Sequence, residues 1–155
     1  MYRKIFFLLS IILLNFQFTR AQTQTRFYDD SIQVSKKMVA FVNDFNNLNW
    51  DSFHQNFSDD ITVFLDGDST TLVQGKAGVE NIFKALFDAV RSRKKGPPYL
   101  DIAPMNQVIQ MMDKAAIVTF HSDRGTYILR RTFIWQKKGK DWLIVHMHGS
   151  SRTKN

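Results

Sequence analysis

Two histidines, His146 and His148, sit in an apolar run from Trp142 to Ser150, and they are the side chains best suited to handle a proton near neutral pH. Alternating side chains on a strand point to opposite faces. As a regular strand, this run puts Trp142, Ile144, His146, His148 and Ser150 on one face and Leu143, Val145 and Met147 on the other. Arg131, in the preceding apolar run, supplies a cation. A neutral histidine beside it would have a lowered pKa, and could accept a proton or help the arginine hold a carboxylate. His146 and His148 are therefore the candidate general bases.

Other chemistries find less support. Two histidines on one face meet the first requirement of a zinc site, but such a site takes at least three protein ligands and no third is indicated. No metal and no cofactor are expected. Ser150 follows His148 without a nucleophile elbow, so no serine triad is legible. The chain has no cysteine, which removes thiol chemistry and disulfides together. Gly75-Lys76-Ala77-Gly78 lacks the spacing and the lysine-serine/threonine ending of a phosphate loop. Asp59 and Asp60 lie between a helix and a strand, where turn capping is the expected role.

The elements that must position these residues follow from length and periodicity. At 155 residues, with 44% hydrophobic and 14% aromatic content, the chain makes one packed domain. Met1 to Lys4 form a basic start, Ile5 to Leu14 are apolar except for Ser10, and Thr19-Arg20-Ala21 offers small residues for cleavage. Residues 1–21 thus read as an export signal, cleaved after Ala21. Asn15, Gln17, Thr19 and Arg20 cut the apolar run short of a spanning helix, so no stable membrane anchor is expected. Losing Arg3, Lys4 and Arg20 lowers the formal charge from +7 to +4. The basic run Arg91 to Lys95 could meet nucleic acid or anionic lipid, but reads better as a solvated helix end complementing the helix dipole. No nucleic-acid partner is expected, and the location is periplasmic or secreted.

Residues 22–30 lack periodicity and read as a flexible arm. Met38, Phe41, Val42, Phe45 and Leu48 form the stripe of a helix beginning near Ser31, which Asp29, Asp30 or Ser31 could cap. Trp50, Phe53 and Phe57 suggest a second, short helix. Ile61 to Leu65 and Thr71 to Gln74 read as a hairpin, and Val79, Ile82, Phe83, Leu86, Phe87 and Val90 as the stripe of a third helix. Gly96-Pro97-Pro98 stops that helix. Runs at 100–110, 114–121, 127–137 and 141–150, joined by short turns, predict an antiparallel meander, with Pro104 marking an edge or a bulge. The fold class is α+β: three N-terminal helices on one face of a curved, mostly antiparallel sheet, forming a cone. Its domain spans 31–151, with a tail at 152–155.

Trp50 to Val63, Gln74 to Val79, and Arg131 through Ser150 resemble a SnoaL-like domain of the nuclear transport factor two-like superfamily over about residues 30 to 151. The last strands, with Trp135, Trp142, His146, His148 and Ser150, are similar to the association domain of calcium/calmodulin-dependent protein kinase II. The resemblance implies a cone with a pocket between sheet and helices, commonly dimeric through the outer sheet face. Aligned to the superfamily's ketosteroid isomerases, the chain has Phe41 in place of the oxyanion-binding tyrosine and Leu65 in place of the aspartate base, which disfavours that mechanism. Asp66 next door would face the opposite side of a continuing strand. Against the kinase domain, Phe133 replaces a pocket arginine, with Arg131 two residues away.

The reading is an exported module that binds an apolar or weakly acidic small molecule. The expected ligand-binding residues are Phe41, Phe45, Trp50, Arg131, Phe133, Trp142, His146, His148 and Ser150. The alternatives are an isomerase or hydratase using His146 or His148 as general base, and a homodimeric scaffold.

Overall fold

The computed structural model describes side chains for residues 24–66 and 71–154, with the backbone of the first helix traced from Tyr2. The expected export signal, 1–21, lies outside the residues with described side chains. Helix α1 spans Tyr2–Asn47, α2 spans Trp50–Phe53, and a 3₁₀ turn, His54–Asn56, leads into the sheet. Strands β1 (Phe57–Phe64) and β2 (Val73–Gln74) precede α3 (Lys76–Arg93). Strands β3 (Met105–Met111), β4 (Ala115–Asp123), β5 (Tyr127–Lys138) and β6 (Asp141–Thr153) complete the chain. The sheet order is β2-β1-β6-β5-β4-β3, antiparallel throughout except for the parallel pair β1 and β6. The helices pack on one face, giving the α+β cone read from the sequence.

Val34, Met38 and Phe41 bury one face of α1, and Val79, Phe83 and Phe87 one face of α3. Both stripes have the three- and four-residue spacing that puts side chains on one side of a helix. α1 ends in a Schellman motif: Leu48 N–H donates to the Phe45 carbonyl and Asn49 N–H to that of Asp44, with Leu48 at φ 55°. Asn46 then pins the segment before β3. Its side chain bonds both the amide and the carbonyl of Ile102, and its own carbonyl accepts from Tyr99 and Leu100.

Several boundaries differ from the sequence reading. The described part of 22–30 is helical rather than a loose arm, because Asp30, 2% exposed, is docked onto Lys137 Nζ at 2.5 Å. Asp29, Asp30 and Ser31 lie inside α1 and cap nothing. Phe57 opens β1 rather than closing α2. Asp59 and Asp60 lie in β1, where Lys138 Nζ donates to Asp60 at 2.7 Å. Pro104 falls just before β3, and β6 runs through the expected tail to Thr153.

The most consequential difference is a β-bulge in β6. Trp135 pairs with Ile144, but Ile134 pairs with His146, which leaves Val145 as an extra residue. A bulge of one residue breaks strict alternation and re-aims everything beyond it. Before the bulge Trp142 and Ile144 face the helices; after it Met147 and Gly149 do.

Candidate functional site

Rows of side chains cross the inner face of the sheet. One joins Ala116, Trp135 and Ile144; the next joins Val118, Phe133, Met147 and Val63; a third joins Phe120, Arg131 and Gly149, and beyond it Ser122 pairs with Leu129. The deepest row is packed solid, and the next is closed except where Val63 and Met147 reach the cavity. Trp135, Trp142 and Ile144 are at most 1% exposed, and Phe41 meets Phe133 edge-on at 5.5 Å and Trp135 at 6.3 Å. Over the outer rows the helices and sheet diverge and enclose a cavity of about 320 Å³. At roughly 30 Å³ per water, this holds about ten waters, within the small end of ligand pockets.

Each layer contributes an apolar wall. α1 gives Phe41, Val42 and Phe45, α3 gives Ile82, Phe83 and Leu86, and the sheet gives Val63, Leu65, Phe120, Leu129 and Met147. Ile102, held by Asn46, adds to the lining. Asp66, Ser122 and Arg131 are the charged or hydroxylated side chains that line it with their neighbours from the same inner face.

Arg131 lies over Gly149, its cross-strand partner. A methyl group on Gly149 would sit 2.9 Å from Arg131 Nη1 and 3.2 Å from Cζ, so the guanidinium occupies the space a side chain would need. Nη1 donates to the carbonyls of Arg130 at 2.9 Å and Ser150 at 3.4 Å, and Nη2 faces Asp66 Oδ2 at 3.7 Å. Burial pulls the guanidinium below its ordinary value, and the Asp66 charge opposes that pull. Ser122 pairs with Leu129 and so stands diagonally from Arg131 on the inner face.

Asp66 corrects the expectation that it faces away. Strict alternation holds only while a strand lasts, and β1 ends at Phe64, so Leu65 and Asp66 leave the pleat and both reach the pocket. The histidines differ in the other direction. Beyond the bulge, His146 and His148 pair with Ile134 and Thr132 on the outer face. There His146 Nδ1 is 2.8 Å from Thr62 Oγ1, and Phe64 meets both imidazole rings at 6.2 and 6.1 Å. Burial, then the charge of His148, lowers the His146 pKa. His148 reaches the pocket only at its rim, next to Phe64.

Of the expected ligand residues, Phe41, Phe45 and Arg131 line the cavity, and His148 touches it at the rim. Phe133 lies one row deeper, Trp142 sits at the packed closed end, and Ser150 pairs with Arg130 on the outer face. Trp50 does not line the cavity; it stacks on His54 at 5.3 Å, with Lys84 Nζ 4.9 Å from its ring. Sequence reasoning missed Asp66, Ser122 and Gly149. Among the described residues no three His, Asp or Glu side chains converge as a metal site, and no helix is long and apolar enough to cross a membrane.

A family model described as a SnoaL-like domain matches residues 34–153. No curated protein matches the chain. Among solved structures, a candidate dehydratase of the NTF2-like family from Streptomyces avermitilis superposes with TM-score 0.67 at 11% identity, covering 81% of this chain and 99% of its own. A candidate ketosteroid isomerase from Parabacteroides distasonis gives TM-score 0.56 at 17% identity, covering 73% and 83%. The association domain of C. elegans CaMKII gives 0.62 at 15%, covering 81% and 98%. At these identities the likeness is one of fold.

Proposed function

This chain belongs to the SnoaL-like domain family, and we propose that it uses the mouth of its cone to bind an apolar small molecule with one polar end. The observation that carries this is the 320 Å³ cavity, apolar on three walls and closed below by packed aromatic rows, with Arg131, Asp66 and Ser122 at one side. Burial of a ligand's apolar body supplies the affinity, and the few polar groups orient it. Calorimetry with 2-naphthol tests the reading. Leu86 lies at the pocket and is 39% exposed, so Leu86→Trp should crowd the entrance and weaken binding at least tenfold while the melting temperature holds. Equal affinity in wild type and variant would refute the site.

A second reading is proton transfer, favoured by one carboxylate placed in an apolar pocket beside a guanidinium. Asp66 then takes the base role that the sequence suggested for a histidine, and Arg131 or Ser122 steadies the developing oxyanion. The candidate isomerase and dehydratase of the same fold support keeping this reading. Its signature is protein-catalysed exchange of the methyl protons of 2-acetonaphthone in deuterated water, followed by NMR and absent in Asp66→Asn. Exchange no faster than buffer excludes it.

Two copies pair through the outer sheet face. Support comes from Val108, Ile117 and Ile134 on that face, and from the fold shared with an association domain. Light scattering on the purified protein decides between one copy and two. The mature protein acts in the periplasm or the medium after cleavage behind Ala21, supported by the basic start, short apolar run and small residues of 1–21. The intact mass of the exported product checks the cleavage point.

A further inference from the structure

The polar side of the pocket carries both signs of charge, and that limits what a ligand can bring there. Arg131 Nη1 is occupied by two backbone carbonyls, and Nη2 is turned to Asp66 Oδ2. Their 3.7 Å separation is too long for a direct hydrogen bond, yet short enough that the carboxylate offsets much of the guanidinium's charge. Both side chains are partly shielded, 24% and 22% exposed, and the remaining walls are apolar. Ser122, buried at 2%, lines the pocket on the same side, and its hydroxyl can both donate and accept a hydrogen bond.

From this arrangement we propose that the pocket selects uncharged ligands bearing a hydroxyl or carbonyl group, and rejects carboxylates of the same shape; the proposal rests on the binding reading above. A carboxylate can approach Arg131 only by standing beside Asp66. Repulsion from Asp66 then cancels most of the attraction, while the anion still gives up its hydration. A hydroxyl can instead donate to Asp66 and accept from Ser122, and a carbonyl can accept from Ser122 or Arg131, with no net charge moved out of water. This narrows the sequence expectation of a weakly acidic ligand, which took Arg131 as an unpaired cation.

The test is calorimetry at about pH 7 on the protein as its host produces it, with naphthalene, 2-naphthol, 2-acetonaphthone and 2-naphthoate. The naphthol and the ketone should bind roughly tenfold or more tighter than the naphthoate. Asp66→Asn, which frees the arginine's charge, should tighten naphthoate at least tenfold and bring it past naphthol. Arg131→Gln should weaken naphthoate further, and circular dichroism confirms that each variant is folded. Naphthoate binding wild type as tightly as naphthol overturns charge selection alone, since naphthol binding keeps the pocket. An Asp66→Asn variant with an unmoved naphthol-to-naphthoate ratio overturns it as well. If none of the four compounds binds, the binding reading falls and this proposal with it.

Discussion

Replacing Lys137 with methionine should cost the protein about 3 kcal/mol of stability, although Lys137 is far from the pocket. Asp30 is 2% exposed, and its Oδ1 accepts from Lys137 Nζ at 2.5 Å. Its Oδ2 is buried without a hydrogen-bond partner among the described residues. Removing the ammonium therefore leaves a buried carboxylate with nothing to offset its desolvation, a situation that costs roughly 3–5 kcal/mol. Lys137 is itself 28% exposed and water can reach the gap, which favours the lower end. The ammonium also stands 5.9 Å from the Trp142 ring, worth under about 1 kcal/mol more. For a chain of this size the total corresponds to a melting temperature lower by about 10 °C. Urea unfolding gives the free energy directly, and Asp30→Asn/Lys137→Met should recover much of the loss because the charge is gone from both sides. A loss below about 1 kcal/mol in Lys137→Met would refute the docking of α1 through Asp30, and would restore the loose arm that the polar sequence of 22–30 suggests.

Gly149→Ala should cost about 1–2 kcal/mol in urea melts, since its methyl would lie 3.3 Å from the Asp66 backbone nitrogen as well as against Arg131. The same substitution should reduce the preference for 2-naphthol over 2-naphthoate by displacing both charged groups. Asp60 is held down to about 2 by Lys138, with Ser58 adding to it. Its native pKa is depressed, so the stability it lends is full above the ordinary carboxylate value and is lost as pH falls toward 2. Lys138→Met should flatten that acid slope in unfolding measurements between about pH 4 and 2. His146 is likewise depressed, by burial and then by His148, so the unfolded chain takes up its proton first. Stability should fall as pH drops below about 6.5, and His146→Gln should remove that part of the slope; an unchanged slope would mean the ring is solvated.

The helices and the meander were legible because their signals are local. The stripes Met38-Phe41-Phe45 and Val79-Phe83-Phe87 need only helical periodicity, and the four late strands need only short polar turns between apolar runs. The site was legible in part, since Phe41, Phe45 and Arg131 lie where the resemblance suggested. The misses come from long-range structure. No glycine or proline marks the bulge at Val145. It falls where β6 must pair with β5 on one side and β1 on the other, and the β1 ladder also shifts between Phe57 and Thr62. Asp66 was misplaced because alternation was carried past the end of β1. Ser122 was read as turn because the hydrophobic run stops at His121, whereas β4 pairs as far as Asp123. Asp30 gains its partner from a residue more than a hundred positions away, which no window of sequence contains.

The bulge also determines how relatives of this chain should be lined up and re-engineered. Val145 is the supernumerary residue, so a relative one residue shorter here would keep Met147 and Gly149 toward the cavity. A gapless comparison of the last strand across such a pair would exchange inside for outside over its whole second half. The correct alignment places a gap at Val145. For the same reason, a mutant library meant to reshape ligand choice should vary Met147 with Leu129 and Phe120, leaving His146 and His148 fixed. Changes at His146 would be read out on the opposite surface of the sheet, and changes at His148 there and at the rim of the pocket.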